Sequence, residues 1–108
     1  MTTRVELDAQ PFAFIRRLAP EPRRRVRQAL HELERGQADV KPLQGSFVGY
    51  WRLRSGGYRV VFRYAMEEGW RTAKCIFAER RSVVYDLFAE KLQRLAAARL
   101  SQKPKHGK

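Results

Sequence analysis

The sequence predicts an α+β fold. An antiparallel β-sheet, made of a first strand plus a three-stranded meander, is packed against an N-terminal helix hairpin and a C-terminal helix, in the order β-α-α-β-β-β-α. Three observations carry this. The stretch LQGSFVGYWRLRSGGYRVVFRY, Leu43 to Tyr64, holds two alternating runs joined by Ser55-Gly56-Gly57, where glycine takes positive φ without a Cβ clash. Apolar residues recur at helical spacing in two segments before this stretch and one after it. The chain of 108 residues is one domain of ordinary size, with neither an internal repeat nor a dividing linker.

Taken in order, Thr2 to Leu7 alternates Arg4/Glu6 against Val5/Leu7 and reads as a short strand. Asp8 can cap the helix that follows, and Pro11 suits its start because a missing N–H is harmless there. Phe12, Ile15 and Leu18 recur on its apolar side, and Ala19-Pro20 stops it. Glu21-Pro22 restarts a second helix, whose stripe is Val26, Ala29, Leu30 and Leu33. Arg23, Arg24, Arg25, Arg27 and Arg35 decorate the rest, and Gly36 ends it. The short connection makes the two helices an antiparallel hairpin. Gln37 to Ser46 reads as a polar connection.

Side chains switch faces at every strand residue. Phe47, Trp51 and Leu53 therefore face one way, and Tyr50, Arg52 and Arg54 the other. After the turn Tyr58, Val60, Phe62 and Tyr64 share one face; Arg59, Val61 and Arg63 share the opposite one. The hairpin has a greasy face for the core and a face studded with arginine, whose planar fork suits phosphate. Glu67-Glu68-Gly69 forms the next turn. Arg71 to Ala78 is the last strand, with Ala73, Cys75 and Phe77 on one side and Thr72, Lys74 and Ile76 on the other. A charged loop, Glu79-Arg80-Arg81-Ser82, leads to a helix from Val83 to about Leu100, with Val84, Leu87, Phe88, Leu92, Leu95 and Ala96 at core spacing. Residues 1–100 form the domain, and 101–108 a basic tail. One core is expected to hold Val26, Leu30, Leu33, Trp51, Leu53, Tyr58, Val60, Phe62, Phe77, Leu87 and Phe88.

The apolar fraction of 44% and aromatic fraction of 11% are those of a folded protein. A net charge of +12 does nothing for folding and calls for an acidic partner: nucleic acid first, an acidic protein second, an anionic membrane third. No apolar run approaches the roughly 20 residues that span a bilayer, and the N-terminus has no apolar signal region. No membrane partner is expected. A single cysteine, Cys75, reads as a small buried hydrophobe in a reducing, cytoplasmic setting. His31 and His106 have no metal-ligand spacing, so neither a metal nor another cofactor is expected.

Four pieces then stand in a recognisable order. An arginine-rich helix hairpin precedes Lys41-Pro42-Leu43-Gln44-Gly45. Trp51-Arg52-Leu53-Arg54-Ser55-Gly56-Gly57-Tyr58-Arg59-Val60 comes next, then Glu79-Arg80-Arg81-Ser82-Val83-Val84-Tyr85. Up to about Leu100 this resembles the RelE/ParE toxin superfamily of bacterial toxin–antitoxin systems. The superfamily contains ribosome-dependent mRNA endonucleases and, on the same scaffold, DNA gyrase poisons.

For the endonuclease branch the resemblance implies a partner set of mRNA in the ribosomal A site, the ribosome, and an acidic antitoxin. It also implies metal-independent attack of the ribose 2′-OH on the adjacent phosphate, giving a 2′,3′-cyclic phosphate and a 5′-OH. That chemistry needs a proton acceptor, cations around the phosphorane, and a means to neutralise the leaving oxygen. Arg52 falls at the family's catalytic basic position before the turn, and Arg59 on its phosphate-binding arginine after it. Tyr85 falls on the tyrosine that stacks on or activates the nucleotide. Arg81, four residues earlier, is expected to line the same groove, with Tyr50, Arg54 and Arg80 as substrate-binding residues. Two positions depart from the family. Tyr50 stands where a lysine is usual, and Glu79 at about the place of a further arginine.

Overall fold

The computed structural model describes residues 2–101. The expected basic tail, apart from Ser101 at the end of the last helix, lies outside the described residues. The elements are β1 (Arg4–Leu7), α1 (Ala9–Arg16), α2 (Pro20–Glu34), β2 (Val40–Pro42), a 3-10 turn (Gly45–Phe47), β3 (Trp51–Ser55), β4 (Tyr58–Glu67), β5 (Trp70–Arg80) and α3 (Val84–Ser101). The α+β class and the order of the long elements are those expected.

The sheet departs from expectation in two ways. It has five strands in the order β1-β5-β4-β3-β2. Val40–Pro42, read as connection, is an edge strand antiparallel to β3; three residues are too few to show an alternation. The sheet is also mixed. β1 joins β5 in parallel, Arg4 opposite Thr72 and Leu7 opposite Cys75, because the two helices between β1 and the meander return the chain to the same end of the sheet.

α2 forms for the reasons read above. Pro20 occupies its first turn and Val26, Ala29, Leu30 and Leu33 are all buried. α1 starts earlier, at Ala9. Asp8 sits at its N-cap, but without a side-chain capping bond. Its buried side is Pro11 and Ile15, while Phe12 is half exposed. The β4–β5 turn is tight: Glu68 and Gly69 both have positive φ, 52° and 80°, the twist a two-residue hairpin requires.

The core is two layers, not one. Ile15, Val26, Leu30, Leu33, Leu53, Val60, Phe62, Ala73 and Cys75 pack between the sheet and α1/α2, with Trp51, Tyr58 and Tyr64 at the margin. On the other face Val61, Phe77, Val84 and Phe88 pack under α3, joined by Phe47, Tyr50, Tyr85 and Leu87. Helices thus cover both faces. Phe77, Leu87 and Phe88, expected in a single core, belong to this second layer. Leu95 and Leu100 are exposed, because the second half of α3 runs on past the sheet.

Phe77 joins the second layer because of a β-bulge. Val61 is opposite Phe77 but Phe62 is opposite Cys75, so Ile76 is an extra residue in β5. Alternation is interrupted there. Cys75 faces α1/α2, whereas Ile76 and Phe77 both face α3.

Candidate functional site

The site is built at the turn end of the β3–β4 hairpin, on the face that carries α3. Opposed residues in an antiparallel pair share a face. Arg52 opposes Val61 and Arg54 opposes Arg59; on the other side of β3, Lys41 opposes Arg52. Arg54 against Arg59 is a like-charge pair, which costs a hairpin stability.

Arg59 is the centre. Its Nη1 donates to Gly56 O at 2.8 Å and Tyr58 O at 2.9 Å, so it also braces the turn. Burial holds its guanidinium below the ordinary arginine value; Tyr85 opposes that, and the like charges of Arg52, Arg54 and Arg81 add to it. Each of those four neighbours is therefore within electrostatic reach of Arg59. Glu79 lies opposite Arg59 in register, yet its carboxylate accepts from the Arg80 backbone N–H at 3.0 Å. The charge on Arg59 is left facing the other arginines.

Arg52 is held differently. Its Nη1 donates to Asp39 Oδ1 at 3.1 Å and to Asp39 O at 3.2 Å, and its side chain is only 15% exposed. Asp39 and Lys41 flank Val40 on the unrecognised edge strand, so both were missed as site residues. A strand of three residues, Val40–Pro42, gives no local signal for either.

Tyr85 enters from the first turn of α3. Val84 and Phe88, one helical turn apart, are fully buried and anchor that turn. The Tyr85 ring lies 6.2 Å from Phe47, leaving it half buried. Tyr50 stands edge-on to Phe88, centroids 5.1 Å apart, so its ring is tied into the layer under α3. Arg81 lies in the turn before α3, and its backbone N–H donates to Gly57 O at 2.9 Å. That bond ties the loop to the hairpin turn. Arg80 goes the other way. It opposes Tyr58 and lines a groove with Phe14, Arg17, Leu18 and Glu79 on the α1 side.

Of the seven expected site residues, Arg52, Arg54, Arg59, Arg81 and Tyr85 gather, Tyr50 lies beside them in the layer below, and Arg80 is on the opposite face. The arrangement offers several guanidiniums and a phenol around one small area. It suits a phosphodiester, whose oxygens take charge-assisted hydrogen bonds from such forks.

No protein-family model and no curated protein matches the chain. Solved structures do. A chain of the archaeal RelE–RelB complex from Pyrococcus horikoshii is 28% identical, with TM-score 0.56, over 75% of this chain and 97% of that one. A chain of a RelBE toxin–antitoxin complex from Mycobacterium tuberculosis is 20% identical, with TM-score 0.63, over 75% of this chain and 100% of that one. A YoeB/ParE toxin from Agrobacterium tumefaciens is 16% identical, with TM-score 0.58, over 73% of this chain and 99% of that one. In fold and in the order of its motifs, the chain belongs to the RelE/ParE toxin superfamily.

Proposed function

We propose that the protein is the toxin of a type II toxin–antitoxin system and that it cuts mRNA on the ribosome. The observation that carries this reading is the gathering of Arg52, Arg54, Arg59 and Arg81 with Tyr85 at one end of the sheet. Arginines so placed repel one another, and a polyanionic substrate removes the repulsion. Structures of this fold include toxin–antitoxin complexes, which supports an antitoxin partner. Acidic residues on that partner would cover the arginine face.

In the proposed reaction the ribose 2′-oxygen loses its proton and bonds to the adjacent phosphorus. The bond from phosphorus to the 5′-oxygen breaks, and that oxygen gains a proton. Arg54 and Arg59 hold the non-bridging oxygens, on which negative charge builds in the phosphorane. Arginine stays protonated at physiological pH, so these residues are electrostatic stabilisers. Arg52, fixed by Asp39, is a pre-positioned cation beside them. Tyr85 presents a ring for stacking and a hydroxyl for proton transfer. The ribosome supplies the substrate geometry.

A second reading, a ParE-like poison of DNA gyrase without hydrolysis, has two observations in its favour. Arg52 is already engaged by Asp39, which leaves fewer free cations for a phosphorane, and Tyr50 is packed on Phe88, which leaves fewer groups to move a proton. Controlled expression with separate pulse labels for protein and DNA synthesis decides between the two. Early arrest of translation, with cut mRNA on programmed ribosomes, is the expected result. Early arrest of replication with uncut message would establish the second reading.

A further inference from the structure

The sheet end that carries the site has a back as well as a front. Tyr58 and Arg59 are neighbours in β4 and point to opposite faces; Arg80 and Arg81 divide in the same way. On the back, a groove of about 310 Å³ is lined by Phe14, Arg17, Leu18, Tyr58, Glu79 and Arg80. Tyr58 is half buried and is held by Phe14 in an edge-to-face pair, centroids 5.9 Å apart. Arg17 and Arg80 are exposed. Among the described residues neither guanidinium has an ion-pair or hydrogen-bond partner. The one acidic residue of the lining, Glu79, lies opposite Arg59 in register and its carboxylate accepts from the Arg80 backbone N–H, so the groove carries a net positive charge.

An anchored aromatic ring sharing a groove with two unengaged arginines is a combination by which proteins hold unpaired nucleotides. The ring takes the base face, and the cations take the backbone. Only the exposed Gly56-Gly57 turn and the end of β5 separate this groove from the front, and the Arg81 N–H to Gly57 O bond fixes the two faces relative to each other. We propose that the Phe14–Arg17–Tyr58–Arg80 groove is a second nucleotide subsite, which takes a base and phosphate of the same strand whose scissile phosphate lies at Arg59. That the strand is RNA rests on the function proposed above.

The test is binding of a fluorescent single-stranded RNA of roughly 12 nucleotides to the full chain, followed by anisotropy over a range of salt concentrations. The double variant R17A/R80A changes two exposed side chains. It should weaken binding about fivefold to tenfold at ~0.1 M salt and reduce the salt slope by about 1.4, two contacts at about 0.7 each. Tyr58→Leu, checked by circular dichroism, should weaken binding about fivefold with the slope unchanged, because stacking releases no counterions. The control R24A/R27A, two exposed arginines of α2 outside the groove, should cost less than about twofold.

R17A/R80A with unchanged affinity and slope, or a loss no greater than the control's, would overturn the subsite. A poly-glutamate peptide that binds as tightly as RNA, with Tyr58→Leu without effect, would overturn it in favour of an acidic peptide dock. Tighter binding of the matching DNA, with the same losses in the variants, would overturn the assignment to RNA. Cleavage plays no part in this readout, so an uncut message on ribosomes would remove the proposed activity and leave the groove standing.

Discussion

Gln10 and Ala78 form a closed pair of hydrogen bonds in which a side-chain amide stands in for a missing strand. Gln10 Nε2 donates to Ala78 O at 2.8 Å, and Ala78 N–H donates to Gln10 Oε1 at 2.8 Å. β1 covers β5 only as far as Leu7 opposite Cys75, so beyond that point the β5 edge has no neighbouring backbone. Gln10, in the first turn of α1, supplies one donor and one acceptor in peptide-like spacing. Lys91 Nζ takes the Ile76 carbonyl at 3.0 Å in the same stretch.

Gln10→Ala should therefore destabilise the protein by about 1–3 kcal/mol, because Ala78 is buried and both its backbone groups lose their partner. Urea unfolding followed by circular dichroism measures this. Gln10→Glu should lose more at neutral pH than at acid pH, since an ionised carboxylate cannot donate to the Ala78 carbonyl.

Arg59→Ala should fold and should lower single-turnover cleavage of mRNA on programmed ribosomes by about 10²–10³, the usual cost of one preorganised charge. Tyr85→Phe should lose less if the ring only stacks, and comparably if its hydroxyl moves a proton. Normal cleavage by Arg59→Ala would remove the front face as the reaction site.

Asp39→Asn releases Arg52 from its ion pair. Stability should change by less than about 1 kcal/mol, since Asp39 is exposed. Binding of single-stranded RNA should tighten up to about fivefold at low salt, as one negative charge leaves the arginine face. Weaker RNA binding would mean that Asp39 is there to aim Arg52 and not to mask it.

Phe88→Ala should cost about 3–5 kcal/mol, since Phe88 is fully buried and lies within 5.9 Å of the Phe77 ring, 5.4 Å of Phe47 and 5.1 Å of Tyr50. It should also release the first turn of α3 and with it Tyr85. Thermal unfolding reads the first effect. The near-ultraviolet circular dichroism of the tyrosines reads the second, below the unfolding transition.

Cys75 is fully buried, and burial pushes its thiol up to about 12, with Asp8 adding to the shift. The folded thiol should resist iodoacetamide at mildly alkaline pH and react only as the protein opens. In the unfolded chain the thiol ionises near 8.5. From there up to about 12 the unfolded state holds fewer protons than the native state, so stability falls as pH rises through that window. Cys75→Ala should flatten this part of the stability profile.

Much of this was legible from the chain alone. The stripe of Val26, Ala29, Leu30 and Leu33 and the greasy face of Leu53, Val60 and Phe62 follow from period, and the structure buries them all. Arg52, Arg54 and Arg59 share a face because alternation demands it. What escaped were features that depend on contacts between distant segments. β2 exists only because β3 offers it a partner, so Asp39 and Lys41 had no local signature. Phe77 was assigned by counting from Ala73, and the count fails where one strand carries an extra residue.

That extra residue, Ile76, sets the phase of everything after it. Before it, odd-numbered residues of β5 look toward α1 and α2; after it they look toward α3. If β5 alternated regularly through Ile76 with no bulge, Phe77 would leave the layer under Phe88, and the two arginines at the end of β5 would exchange places. Arg81 faces Arg59, and Arg80 faces Tyr58, because Ile76, five residues before Arg81, is accommodated as a bulge. In this scaffold the bulge works as a phase lock, absorbing one residue of β5 so that the pairing on either side of it is kept. Pairing Ile76 regularly would leave composition and charge untouched while moving a cation from one side of the sheet to the other.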